Sequence, residues 1–121
     1  MNSTLLILKI NQSPMYIDTD FVRTIFTKLK LGTISNIQTE FGFNSIRTDK
    51  GSKKIYYKNI YISFSGIFED KAIIKKMFDQ FTNESHLIVH YSTDDYWKVY
   101  KCDELPNFKP MISFPIKTLI Q

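Results

Sequence analysis

Apolar residues along this chain recur with two periods, and the switch between them marks its elements. Residues 4–11, TLLILKIN, are a short apolar run between polar neighbours, which predicts a central strand. SPMYIDTD then forms a connection holding Pro14. In residues 19–31, Phe21, Val22, Ile25, Phe26 and Leu29 share one face at helical spacing. Asp18 or Thr19 can cap this helix, Asp20 suits its N-terminal dipole end, and Gly32 reads as a left-handed stop. TISNIQTEF (33–41) is rich in β-branched residues and reads as a strand. GFNSIRTDKGSKK (42–54) reads as a basic, glycine-containing loop or hairpin tip. In residues 55–64, Tyr56, Ile60, Ile62 and Phe64 alternate with Tyr57, Asn59, Tyr61 and Ser63, as in a strand with two distinct faces.

The second half repeats the scheme. Residues 69–81 place Ile73, Ile74, Met77, Phe78 and Phe81 on one helical stripe, with Glu69 and Asp70 at the N-terminal end. This pattern repeats that of the first helix. HLIVHYS (86–92) and YWKVYKC (96–102) are strands joined by the turn TDD. The tail DELPNFKPMISFPIKTLIQ carries Pro106, Pro110 and Pro115, which favour an extended chain. Its apolar content, including Phe108, Met111 and Phe114, calls for a surface to pack on. The order β-α-β-β-α-β predicts an α+β, ferredoxin-like sandwich. Each helix has a single apolar stripe, so both cover one face of an antiparallel sheet, with an added C-terminal hairpin strand and an extended tail. The expected division is one domain over 1–105 and a Pro-containing tail over 106–121.

Composition narrows the class. At 121 residues, with 43% hydrophobic and 15% aromatic content, the chain can form a real core. Its single cysteine, Cys102, excludes an intrachain disulfide and fits a reducing compartment. No apolar run reaches the ~18 residues of a membrane span, and the N-terminus lacks a secretory pattern. The expected setting is therefore cytoplasmic, without a membrane partner. The net charge is +4, and between Arg47 and Lys58 five cations face only Asp49. That segment carries the whole excess, which attracts polyanions.

The helix-to-strand segment from Phe26 through Gly32 and Ile34 to Ile37, together with Tyr61-Ile62-Ser63-Phe64, resembles the RNA-recognition motif (RRM). The second stretch is similar to the end of the family's base-stacking signature: aromatic, aliphatic, any, aromatic. Lys58 and Asn59 stand where that signature has Gly and an aromatic, and Leu6 stands where the first strand has an aromatic. Of three stacking aromatics Tyr61 remains, with Tyr57 two residues earlier on the same face. The turn Leu31-Gly32-Thr33-Ile34 and the later Tyr96-Trp97-Lys98-Val99 also resemble small RRM-like proteins of large DNA viruses, which would place the chain in host cytoplasm or a virion.

The resemblance implies an RRM-like module, without catalysis or cofactor, that binds single-stranded nucleic acid, RNA ahead of DNA. Tyr57 and Tyr61 would stack bases from an open sheet face, beside Asn59. Lys58, Arg47, Lys50, Lys53 and Lys54 would hold phosphates. The competing reading is a structural protein of a particle or its assembly, using the sheet and tail as a protein interface. Trp97, Phe108, Met111 and Phe114 would then anchor a partner, and a second copy could join through a sheet edge or the tail. For Trp97, core packing is an equal alternative. His86 and His90, four apart in a strand, stand too far from each other to share a metal ion.

Overall fold

The computed structural model describes residues 6–68 and 71–106. The elements are β1 (Leu6–Ser13), α1 (Thr19–Leu29), β2 (Gly32–Thr48), β3 (Gly51–Ile67), α2 (Ala72–Glu84), β4 (His86–His90) and β5 (Tyr96–Cys102). The strands form one antiparallel sheet in the order β2-β3-β1-β5-β4. The chain is thus an α+β protein whose five-stranded sheet and two helices are compatible with a ferredoxin-like fold. The strand beside β1 is β5, whereas β4 is the outer member of the terminal hairpin.

Strand alternation decides what is buried. Leu6, Leu8 and Ile10 of β1, Ile60, Ile62 and Phe64 of β3, and Trp97 and Val99 of β5 form one cluster with Val22 and Phe26 of α1 and Ile74 and Met77 of α2. Both helices therefore bury their stripes against the same side of the sheet, as single-striped helices must. Asp18 caps α1, its Oδ1 accepting the Phe21 backbone N–H at 2.8 Å. Glu69 and Asp70 lie outside the described residues, as do Phe108, Met111 and Phe114 of the tail.

Two local expectations change. The left-handed residue ending α1 is Lys30 (φ 55), whose N–H bonds the Thr27 carbonyl. Gly32 instead opens β2, paired with Ile67. A Cβ there would overlap the Gly66 carbonyl oxygen and lie 2.8 Å from Ile67 Cα, so it is close backbone approach that requires glycine. The second change is larger: residues 42–54 are not a loop. β2 and β3 run through this segment as 17-residue strands, and the connection shrinks to Asp49-Lys50. Gly51 takes φ +122, a region closed to residues with a Cβ, and Thr48 Oγ1 donates to its carbonyl at 3.0 Å.

Candidate nucleic-acid interface

β1 accompanies β3 only as far as the Ser13–Lys58 pair. Beyond it, among the described residues, the pairs from Gly42–Tyr57 to Thr48–Gly51 have only each other. Since β2 is also the border of the sheet, this part of the hairpin is a free two-stranded arm roughly 20–25 Å long. Aromatic and β-branched residues favour the strand state, but a lone hairpin is marginal in water, so its base must be anchored.

The anchor is a set of polar contacts on the face turned away from the helices. Gln12 sits in a β1 bulge with φ 53 and donates its backbone N–H to Asn59 Oδ1 at 2.9 Å. Its side-chain oxygen accepts from Asn44 Nδ2 at 3.3 Å. Asn59 Nδ2 and the Tyr61 hydroxyl both donate to Glu40 Oε1, at 3.2 and 3.1 Å. On the same side the Tyr57 ring lies over Gly42, where a Cβ would come within 2.7 Å of it. The base of this face is occupied with holding the arm in place.

The other face is different. Successive pairs place Phe41 opposite Lys58, Phe43 opposite Tyr56, Ser45 opposite Lys54 and Arg47 opposite Ser52. By alternation this face is continuous with the side that α1 and α2 cover. Phe41, Tyr56 and Phe43 remain 64%, 57% and 47% exposed. Lys54 Nζ lies 4.6 Å from the Phe43 ring centroid, and the Phe43 and Tyr56 centroids are 6.0 Å apart. Ile46 and Ile55 are exposed on the opposite face.

The expected site residues consequently separate. Arg47, Lys50, Lys53 and Lys54 are exposed on the arm, and Lys58 is half-buried at its base. Asn59 and Tyr57 are half-buried and engaged in the contacts above. Tyr61 does not stand on an open surface: it is 5% exposed. Alternation turns it away from the helices as expected, but Lys9, Cys102, Glu104, Leu105 and Pro106 line a hollow against it. The chain after β5 thus returns to this side of the sheet. Burial, followed by the Glu40 carboxylate that the hydroxyl bonds, pushes the Tyr61 pKa up to about 12. Burial likewise raises that of Cys102.

Trp97 is a core residue, 2% exposed on the helix side. It stacks on Tyr91 at 4.4 Å and on Phe26 at 6.0 Å, and meets the edge of Phe21. Its indole N–H has no hydrogen-bond acceptor among the described residues. Tyr91, beneath it, has its pKa pushed up to about 12 by burial, with smaller contributions from a hydrogen bond to Tyr16 and from Asp95. His86 packs on Tyr100 and His90 on Tyr96, each beside its cross-strand partner. Among the described residues no group of His, Cys, Asp or Glu is arranged to hold a metal ion, and no helix is long and apolar enough to cross a membrane.

No protein-family model matches the chain, and neither the curated proteins nor the solved structures contain a match to it.

Phe41, Phe43 and the exposed setting of Tyr56 were not apparent from helical or loop patterns. The signal for them is the alternation of Phe41, Phe43, Ile46, Ile55 and Tyr56 around Thr48-Asp49-Lys50-Gly51, which is strand periodicity continued through polar residues.

Proposed function

We propose that this chain is a non-catalytic, RRM-like module that binds nucleic acid, and that its contact surface is the β2–β3 arm rather than the sheet face bearing Tyr61. The observation that carries this reading is the location of charge. Arg47, Lys50, Lys53, Lys54 and Lys58, set against Asp49, account for the entire +4 excess of the chain, on or at the base of an element that extends past the other described strands. A projecting cationic ribbon can follow a phosphate backbone without displacing any of its own packing. The position of β5 beside β1 supports the RRM-like comparison, with β4 as an added border strand.

With up to five phosphate contacts, log K against log salt falls with a slope of about −3.5 on a single strand, or about −4.5 on a duplex. Raising salt from 50 to 200 mM then weakens binding by about a hundredfold or more. Fluorescence anisotropy with a labelled oligonucleotide measures this. The Lys53→Gln/Lys54→Gln double variant should flatten the slope by ~1.4 on a single strand, whereas Tyr61→Phe leaves affinity unchanged. Binding that ignores salt, or that follows Tyr61 and not the lysines, refutes the proposal. The exposed Phe41, Phe43, Ile46 and Ile55 favour a second reading, a protein-binding arm, whose affinity would be nearly independent of salt.

A further inference from the structure

We infer that the ligand of the arm is single-stranded, its unpaired bases stacking on the face formed by Phe41, Phe43 and Tyr56. The inference rests on the reading of the arm as a nucleic-acid surface, and adds where the bases of the expected single strand lie. Charge alone serves a duplex, whose bases are already stacked on each other and whose backbone asks only for cations. Three large rings exposed on one face of a ribbon add nothing to that contact. They do suit free bases, each of which has a π-face to offer.

The spacing agrees. Phe41 and Phe43 are two residues apart on one strand, a step of ~6.8 Å along the arm, with Tyr56 across from Phe43. Cations are interleaved on the same face: Lys58 opposite Phe41, Lys54 one step beyond Tyr56, and Arg47 after that. The ammonium of Lys54 already reaches the Phe43 ring, so it can also reach the phosphate of a base lying there. Phe43 and Tyr56 stand 6.0 Å apart and tilted by 58°, which is too close to admit a base between them. Bases therefore lie on the outward sides of the rings, two or three nucleotides along the ribbon. The opposite face cannot serve in this way, because Tyr57 is spread over Gly42 and Asn44 is tied to Gln12.

The test compares three ligands of equal length on the unaltered chain: a single-stranded oligonucleotide, the same backbone with abasic sites throughout, and a duplex. The single strand should bind about tenfold to a hundredfold tighter than its abasic counterpart. The Phe41→Leu/Phe43→Leu variant, which keeps only Tyr56 of the three rings, should lose most of the single strand's advantage over the abasic strand. Its affinity for the abasic strand and its salt slope should be those of the unaltered chain, which also shows that the arm is intact. Equal affinity for single-stranded and abasic ligands, or tighter binding of the duplex, overturns the inference and leaves the arm as a phosphate-binding surface. Failure to bind any of the three overturns both.

Discussion

Replacing Gly32 with alanine adds one methyl group, and the structure places it against main chain. The new Cβ would overlap the Gly66 carbonyl oxygen and press on Ile67 Cα at 2.8 Å. Neither atom can rotate away as a side chain would. Relief requires the start of β2 to separate from the end of β3, giving up the Gly32–Ile67 and Thr33–Gly66 pairs and straining the nearby Phe68 N–H to Leu31 carbonyl bond of 2.9 Å. Overpacking of this kind costs ~1–3 kcal/mol, and the rigidity of the opposing atoms points to the upper end, ~3 kcal/mol. For a domain of this size each kcal/mol lowers Tm by roughly 4 °C, so Gly32→Ala should melt about 12 °C below the unaltered protein. Gly66, its neighbour across the ladder, is the control: a Cβ there meets nothing within 4 Å. Because glycine weakens a strand by roughly 0.5–1 kcal/mol relative to alanine, Gly66→Ala should melt a few degrees higher. Thermal unfolding followed by circular dichroism reads both. Equal melting temperatures for the two variants would refute the steric argument and the register of β2 on β3 on which it rests.

Trp97 is the only tryptophan, so its emission reports the core directly. It should be blue-shifted and poorly quenched by acrylamide, and Trp97→Ala should cost ~3–5 kcal/mol in urea unfolding. A red-shifted, readily quenched signal would return it to the surface. Tyr61 and Tyr91 both have folded-state pKa values near 12, above the ordinary tyrosine value of 10. A raised pKa means the fold holds the protonated form more tightly than the unfolded chain does. That contribution is complete below pH 10 and drains as pH rises towards 12. Ultraviolet titration should therefore show Tyr61 and Tyr91 ionising late and together with unfolding, while stability is flat around neutral pH as far as these two groups are concerned. Asp18→Ala removes the carboxylate that caps α1 and should lower stability by about 1 kcal/mol without altering binding to an oligonucleotide.

Much of the fold was legible because it follows from local periodicity. The single apolar stripe of each helix placed both on one side of the sheet, and the alternation in β3 correctly turned Tyr61 away from them. The burial of Tyr61 was not legible, since alternation gives the side of the sheet but not what lies over it, and Leu105 and Pro106, far along the chain, line a hollow beside it. Trp97 illustrates the same limit: an aromatic in the last strand suits a core or an interface equally, and the position of α1 decides. The arm escaped notice for a different reason. Gly42, Asn44 and Ser45 are loop formers in isolation, yet each stands opposite a β3 residue that supplies the strand contacts its own side chain lacks. Pairing across a hairpin overrides intrinsic preference there, and it moved Arg47, Lys50, Lys53 and Lys54 from a loop to an ordered ribbon.

β2 borders the sheet for 17 residues and includes no lysine or proline. Proteins usually blunt so long a border, because its unpaired amides and carbonyls invite a strand from another molecule. Here Arg47 is the cation on β2 itself, and the adjacent strand and turn add Lys50, Lys53 and Lys54, so two approaching arms repel. Concentrated salt, which would release a bound polyanion, would also silence that repulsion, so the conditions that strip the arm bare are those in which copies of the chain most readily zip together edge to edge.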